Sequence, residues 1–566
     1  MKKFQMKRAG SIILAAAMFA SIAAACDGSG GNPQSGSAAD SSSKQESSME
    51  EASANISLDM ESTADDTVTV SDGYKLTDEP LTLTYWVDLD SNAASKLNSF
   101  SENAVYQEME KITGVKIEFE HPAVGQAREQ FNLLIASQDF PDFIEYSWAQ
   151  YAGGAQKAID DNVIISLDEL LKTEAPDALA MMTSNPTVEK QCKTDQGSFY
   201  AFTPVAQIDP DNVDFVQSGL MIRADWLEEL GLEVPGNMEE WEAVLRKIKE
   251  EKEDVIPFIH SASGLIESGL PLVGAFGIGS DYYQDNGTVK YGPVQPEYKE
   301  YLKMLNRWYT DGLLDPDFAS NDKAAVDSKM SNGGAASTFG LAGSGFGTYM
   351  TANADNPDYE LVGVQYPVQN SGAEPQFMPR AWDVRVSGML AITSANKNPE
   401  ISAKWANYFY TREGGLLKNF GIEGDTYNLV EGNVEVTDKL LHNPEGLSYQ
   451  QALGVYTRGS TPSPGAVIKI PPTLPQQKAA METWNTYNNN SLEVLIPPVS
   501  FSPEESERIA VMETNIKSYL EEKFVLFVMG QESLDKFDEF VEQLNGYGIE
   551  EMVSIYQAAL ERYNNR

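Results

Sequence analysis

An alternation of strand and helix patterns from Leu81 onwards constrains the fold most. Residues 81–87 (LTLTYWV) alternate like a strand, residues 102–113 have helical spacing that stops at Gly114, and residues 115–120 (VKIEFE) alternate again. This order is a β-α-β unit, and the same rhythm continues further along the chain. The pattern therefore predicts an α/β protein built on parallel strands.

The rhythm restarts near residue 220, which predicts a second lobe. Residues 220–223 read as a strand, and the helix that follows is ended by Gly231. Near the end of the chain, Ser502 and Glu505 have the spacing of a helix cap. The roughly 490 residues from position 76 onwards are enough for two large lobes, or for two to three domains.

Residues 1–25 are a predicted signal peptide and are excluded from the fold. They contain four cations, an apolar stretch too short to span a bilayer and three alanines directly before Cys26. A small-residue site that ends at a cysteine resembles the lipobox of bacterial lipoproteins, which implies that Cys26 is lipidated. Ala23 stands where lipoboxes prefer leucine, and an ordinary secretory cleavage near Ala25 is the alternative.

Residues 26–75 are rich in Ser, Gly and acids and nearly free of aromatic residues, so we predict a disordered tether.

Removing the four leader cations takes the formal net charge from −43 to −47. A chain this acidic repels polyanions, which excludes nucleic acid as a partner. Cys192 is then the one cysteine left beside Cys26, and without a nearby His or CxxC partner it is predicted to be a buried, unreactive side chain.

Signatures of catalysis and of metal binding are missing from the sequence. It contains no HExxH, GxSxG or Walker motif, and its three histidines are far apart. Residues 209–214 (DPDNVD) lack the glycine and terminal glutamate of a calcium loop and read as a linker. We expect no catalytic residue, no metal and no cofactor.

Several longer motifs resemble one protein family. Residues 134–142 (LIASQDFPD), 222–232 (IRADWLEELGL), 405–414 (WANYFYTREG) and the tail after residue 523 are similar to segments of the extracellular solute-binding lipoproteins of ABC importers in Gram-positive bacteria. The resemblance implies an α/β, two-lobed Venus-flytrap fold of the periplasmic-binding-protein type with a helical C-terminal extension. It also implies a binding role without catalysis, a permease partner and, most often, a carbohydrate ligand.

The expected lobes follow from this resemblance. Residues 76–205 and 370–415 are assigned to the N-terminal lobe, and residues 206–369 and 416–566 to the C-terminal lobe with the extension. Relatives often carry a calcium-type loop before the strand near residue 256, but this chain has KEEKEDVI there, so no calcium ion is carried over.

Candidate ligand-binding residues lie just past predicted strand ends, because ligands of α/β lobes bind at the carboxyl ends of strands. Sugars pack on aromatic faces and offer hydroxyls to polar groups. For each aromatic residue, a place in the core is the competing interpretation. The candidates are Trp86, Tyr146, Trp148, Phe339, Arg380, Trp382 and Arg385.

The sequence thus predicts a monomeric protein, lipid-anchored at the extracellular face of the cell membrane, that captures an oligosaccharide and delivers it to ABC permease subunits. Two alternatives stay open. One is a surface-anchored enzyme that acts on polysaccharides, and the other is a sensory binding protein for a peptide or another solute.

Overall fold

The computed structural model describes residues 74–206, 216–430, 432–468 and 474–566. The predicted signal peptide, Cys26, the tether up to residue 73 and the predicted linker at 209–214 lie outside these ranges.

The helices and strands alternate along most of the chain. The first segment contains β1 (Leu81–Val87), α1 (Ala104–Thr113), β2 (Val115–Glu120), α2 (Ala127–Ser137), β3 (Phe143–Tyr146), α3 (Gly154–Asp160), α4 (Asp168–Thr173), α5 (Pro176–Met182), α6 (Pro186–Cys192) and β4 (Pro204–Ala206). The second contains β5 (Ser218–Arg223), α7 (Ala224–Leu230), α8 (Met238–Glu251), β6 (Ile256–Phe258), α9 (Ala262–Glu267), α10 (Leu270–Val273), β7 (Tyr282–Asp285), β8 (Thr288–Tyr291), α11 (Pro296–Thr310), α12 (Lys323–Ser331), β9 (Ala335–Leu341), α13 (Thr348–Ala352) and β10 (Leu361–Val364).

The remaining elements complete both lobes. They are β11 (Met389–Ile392), α14 (Pro399–Asn407), α15 (Arg412–Phe420), β12 (Tyr427–Val430), β13 (Asn433–Val436), α16 (Asp438–Leu441), α17 (Tyr449–Tyr456), β14 (Gly465–Val467), α18 (Pro475–Asn485), α19 (Pro503–Val528), α20 (Phe537–Gly546) and α21 (Ile549–Asn564).

The first sheet has the strand order β11-β3-β1-β2. β1 runs parallel to both β2 and β3, as the β-α-β pattern predicted, and β11 joins β3 antiparallel. Its core includes Tyr85, Phe143 and Trp405, all fully buried. Consecutive residues of β1, β3 and β11 are buried, so both faces of this sheet are covered, as is usual for parallel strands.

The second sheet has the order β10-β5-β9-β6 and is mixed rather than parallel. β6 is parallel to β9, whereas β5 runs antiparallel to both β9 and β10. β5 enters directly after the chain leaves the first lobe, so it is not the product of a β-α-β crossover within this sheet. The core of this lobe includes Trp241, Phe258 and Trp308.

The chain passes between the lobes beside a small sheet in which β4 pairs in parallel with β14. Val384 pairs antiparallel with Val205, so the returning segment lies there too. Residues 416–468, predicted from the resemblance to belong to the C-terminal lobe, pack against the first lobe instead. The Asn103 amide donates to the carbonyls of Val455 (3.0 Å) and Thr457 (3.1 Å). The other lobe boundaries stay a prediction, supported by the two separate cores.

The C-terminal extension is helical, as predicted. The Ser502 hydroxyl accepts from the Glu505 amide while the Glu505 carboxylate accepts from the Ser502 amide, so the predicted cap opens α19. Phe524 and Val528 near its end are buried in the second lobe. Within the described ranges no helix is both long and apolar enough to cross a membrane.

Candidate functional site

The segment that crosses from the second lobe back to the first connects one edge of each large sheet. At the first edge β1, β2 and β3 end and β11 begins. At the edge of the second sheet β9 and β6 end and β5 begins. The segment from Arg380 to Met389 leads from the second lobe to the start of β11. Loops that follow strand ends are where α/β lobes place ligands, so the candidate site lies along this segment.

Asp88 and Asp90 follow β1 directly at the first edge. Asp88 Oδ1, Asp90 Oδ2 and the Ser460 hydroxyl are shielded from solvent and have no hydrogen-bond partner among the described residues. Burial and the neighbouring Asp90 charge raise the pKa of Asp88. A buried acceptor without a donor is costly, so these oxygens mark a place where a donor such as a hydroxyl group would be stabilised.

A fully buried ion pair lies beneath this edge. The Arg458 guanidinium donates to Glu145 Oε1 over 2.9 Å, and the two side chains are 3% and 4% exposed. Tyr85 donates its hydroxyl to the same carboxylate, and Arg458 also stacks on the Phe100 ring at 4.1 Å. Close by, burial and the Arg458 charge lower the pKa of Lys418 to about 7. The network holds β1, β3 and the segment after α17 in one arrangement.

Three predicted site residues form one aromatic cluster in the first lobe. Trp86 is 5% exposed and packs edge-on against Tyr146, with ring centroids 5.8 Å apart. Tyr146 is partly exposed and stacks on Phe131, with ring centroids 4.2 Å apart. Trp148 is fully buried, and its indole N–H donates to the Met389 carbonyl (3.2 Å). A stacking face must be exposed, so the predicted role of Trp148 as a ligand platform does not fit its position. Trp86 also lies in the core.

Two other predicted residues line a cavity of about 420 Å³ at the second edge. Trp382 is partly exposed there, beside Arg380 and the exposed Leu341. Burial lowers the pKa of Arg380, and its guanidinium donates to the Ala381 carbonyl (2.9 Å). Arg385 lies further along the same segment, where burial also lowers its pKa. An apolar ring beside cationic donors is an arrangement that can hold a polar ring-shaped ligand.

Phe339 is buried near the end of β9, and its face is covered by His260 at 3.8 Å. His260 follows β6, and its Nδ1 accepts from the Ser261 amide (2.9 Å). Burial lowers the pKa of His260 to about 4. His260 keeps some exposed surface at this point of the edge, whereas Phe339 is buried beneath it.

The neutral state of His260 predicts a pH dependence of stability. The unfolded chain takes up a proton near pH 6.5, whereas the folded chain does so only near pH 4. The free energy of unfolding should therefore decrease as the pH falls from 6.5 towards 4. Chemical denaturation across this range should show a smaller decrease for His260→Gln than for wild type, and equal decreases would contradict the assignment.

The sequence interpretation missed Asp88, Asp90 and Ser460. The rule that selected residues after strand ends applies equally to the two aspartates, which directly follow β1. Ser460 had no such signal, because it reaches this region from a distant part of the chain. Cys192 is fully buried as predicted, and burial raises its thiol pKa to about 12.

A larger groove of about 770 Å³ lies between α8 and α11. At its centre Glu242 accepts from both Arg246 and Arg307. The Arg307 hydrogen bonds hold the pKa of Glu242 down at about 2. Paired surface charges of this kind fit a structural role better than a ligand site.

Comparison with known proteins identifies relatives of this chain. The fructooligosaccharide ABC transporter substrate-binding protein FusA of Streptococcus pneumoniae is 25% identical over 495 residues, which cover 82% of this chain and 87% of that protein. Lipoprotein LipO of Bacillus subtilis is 23% identical over 359 residues, or 60% of this chain and 68% of LipO.

Among solved structures, the alginate-binding protein AlgQ2 without calcium ion superimposes with a TM-score of 0.68 at 25% identity, covering 86% of this chain and 99% of the other. FusA in complex with kestose gives the same TM-score and coverage at 21% identity, which shows the shared two-lobed fold. The family model of the bacterial extracellular solute-binding proteins matches residues 93–415, more than half of the chain. The chain therefore belongs to the bacterial extracellular solute-binding protein family.

Proposed function

We propose that this protein is the lipid-anchored binding component of an ABC importer, that it captures an oligosaccharide between its lobes, and that it delivers the sugar to the permease without catalysis. The observation that carries the proposal is the pair of unpaired aspartate oxygens on Asp88 and Asp90 at one sheet edge. At the other edge Trp382 offers a partly exposed aromatic face.

A carbohydrate meets both requirements of this site. Its hydroxyl groups donate to carboxylate oxygens, and its C–H faces pack on an aromatic ring. A peptide would offer amide donors, but it would need a matching acceptor and donor pattern along an extended backbone. The names of FusA and AlgQ2 also support a saccharide ligand, since one relative binds fructooligosaccharides and the other alginate.

The membrane anchor is proposed from Cys26, and the lipoprotein name of LipO supports it. More than one acyl chain is needed for stable attachment, because each buried methylene contributes about 0.8 kcal/mol. Cys26→Ala should therefore shift the protein from the membrane fraction to the medium. A wild-type protein found unlipidated in the medium would contradict the anchor.

A thermal-shift screen tests the proposed function. A ligand at a hundred times its dissociation constant should stabilise the folded protein by about 2.7 kcal/mol. We expect fructooligosaccharides or other neutral glycans to raise the melting temperature and peptides of similar length to leave it unchanged. Stabilisation by peptides alone would overturn the carbohydrate assignment, and hydrolysis of any glycan during the assay would favour the enzyme alternative.

Trp382 should contribute to affinity with little effect on folding. The side chain is partly exposed and lines the cavity, so Trp382→Ala should lose stacking area worth about 1–3 kcal/mol of ligand affinity. Calorimetric titration of a glycan identified in the screen measures this loss. Trp226→Ala is a matched control, because Trp226 lies in the core of the second lobe and should change stability rather than affinity. Unchanged affinity in Trp382→Ala would remove this residue from the site.

A further inference from the structure

Helix α21 begins as part of the second lobe. Ile549 and Met552 are buried in its core, and the Tyr556 ring stacks on Tyr282 at 4.0 Å with an interplanar angle of 10°. The Gln557 side chain accepts from the Val289 amide (2.8 Å), which joins the helix to β8. The first nine residues of α21, about two and a half turns, are therefore fixed to the second lobe.

The end of the same helix and Arg566, two residues past it, contact the first lobe. Arg562 Nε and Arg566 Nε donate to the two oxygens of Asp195, over 3.3 and 2.8 Å. The Arg566 guanidinium also donates to the carbonyls of Lys190 and Lys193, each at 3.0 Å. Arg566 is 5% exposed in its side chain, so these contacts are well shielded from water.

Asp195 is part of the first lobe. It lies in the turn between Lys193 and Phe199, which pair with each other, and Phe199 is buried in the first core. The neighbouring Thr194 donates its hydroxyl to Gln156 of α3 (2.7 Å). The partners of Asp195 are Arg562 of α21, Arg566 just after it and Ser500 just before α19. This carboxylate therefore joins two bodies that have separate cores.

The second-lobe side of the contact is also held in place. The Arg562 guanidinium donates to both oxygens of Glu505 in the first turn of α19, over 2.9 and 2.5 Å. Ser500 accepts from Arg566 (2.6 Å) and donates to Asp195 (2.8 Å). A bidentate arginine fixed by one carboxylate presents its remaining N–H to another in a defined geometry. The first turn of α19 thus fixes the orientation of Arg562 towards Asp195.

We propose that the end of α21 is a non-covalent strap between the lobes, and that the pairing of Asp195 with Arg562 and Arg566 sets the balance between open and closed arrangements. When the lobes rotate about the small sheet formed by β4 and β14, these contacts either persist or break. Their free energy therefore contributes to the equilibrium between the open and closed arrangements. None of these residues lines the cavity at Trp382. The strap therefore affects the open–closed equilibrium without contacting the proposed ligand site, and its effect does not depend on which ligand binds.

A distance measurement in the ligand-free protein tests the strap. Spin labels at Glu118→Cys on β2 and Glu300→Cys on α11 report on the separation of the lobes, in a chain carrying Cys26→Ala and with Cys192 fully buried. Asp195→Asn removes the charge and keeps the size of the side chain. We expect the ratio of open to closed populations to change at least about fivefold, the lower end of typical coupling between sites.

Glu551→Gln is the matched control. Glu551 also lies on α21 and forms a bidentate pair with Arg508 (2.6 Å for both contacts), but both residues belong to elements of the second lobe. This variant should leave the distance distribution as in wild type. A distribution unchanged in both Asp195→Asn and the double variant Arg562→Gln/Arg566→Gln would overturn the proposal, and so would an equal change in Glu551→Gln.

Discussion

Replacing Trp148 with alanine is expected to lower the free energy of unfolding by about 3–5 kcal/mol. The side chain is fully buried, its indole N–H donates to the Met389 carbonyl, and the rings of Phe131 and Tyr151 pack against it. Truncation would leave a cavity beside β3 and β11 and would remove the hydrogen bond to the Met389 carbonyl. Urea denaturation of the wild-type and variant proteins measures the loss.

The companion measurement is ligand affinity. If Trp148 is a core residue, the variant that remains folded at low temperature should bind the ligand with nearly wild-type affinity. Trp382→Ala should show the reverse pattern, a stability loss of no more than about 1 kcal/mol and a weaker complex. A Trp148→Ala protein with wild-type stability and no measurable ligand affinity would instead support the sequence-based prediction that Trp148 stacks on the ligand.

Replacing Arg458 with alanine should cost a similar amount, about 3–5 kcal/mol, because it leaves the Glu145 carboxylate buried without its cation. The cost arises from the uncompensated charge rather than from the attraction of the pair itself. The double variant Arg458→Met/Glu145→Gln removes both charges and keeps an acceptor for Tyr85. It should therefore recover part of the lost stability, as measured by the same denaturation experiment.

Arg508→Ala is the control for this prediction. Arg508 and Glu551 form a bidentate pair on the protein surface, with side chains 53% and 43% exposed. Water replaces such a contact, so the stability loss should be much smaller than for Arg458. Equal losses in the two single variants would show that burial of the Glu145–Arg458 pair has no special effect.

The first sheet could be predicted from the sequence because its strands alternate in hydrophobicity and its helices have clear ends. The observed β1 (Leu81–Val87) and β2 (Val115–Glu120) have the predicted bounds. The strand directions of the second sheet could not be predicted in the same way, because hydrophobic periodicity does not show whether two strands pair in parallel or antiparallel. The same limitation affected residues 416–468, whose place beside the first lobe depends on contacts such as the one between Asn103 and Val455.

The candidate site was only partly predictable. Position near a strand end directed attention to the segment with Arg380 and Trp382, but it could not distinguish an exposed ring from a buried one, as Trp148 shows. The Glu145–Arg458 pair joins residues 313 positions apart and left no local pattern. Contacts of this range arise from the packing of whole elements, and single-sequence periodicity does not contain them.

Solution scattering with and without a saturating oligosaccharide tests the central claim most directly. Two lobes that close on a sugar should give a smaller radius of gyration with ligand, and the change should be half complete at a free sugar concentration equal to the dissociation constant measured by calorimetry. Scattering profiles that stay identical while calorimetry shows the sugar fully bound would contradict a protein that captures its ligand by closing two lobes around it.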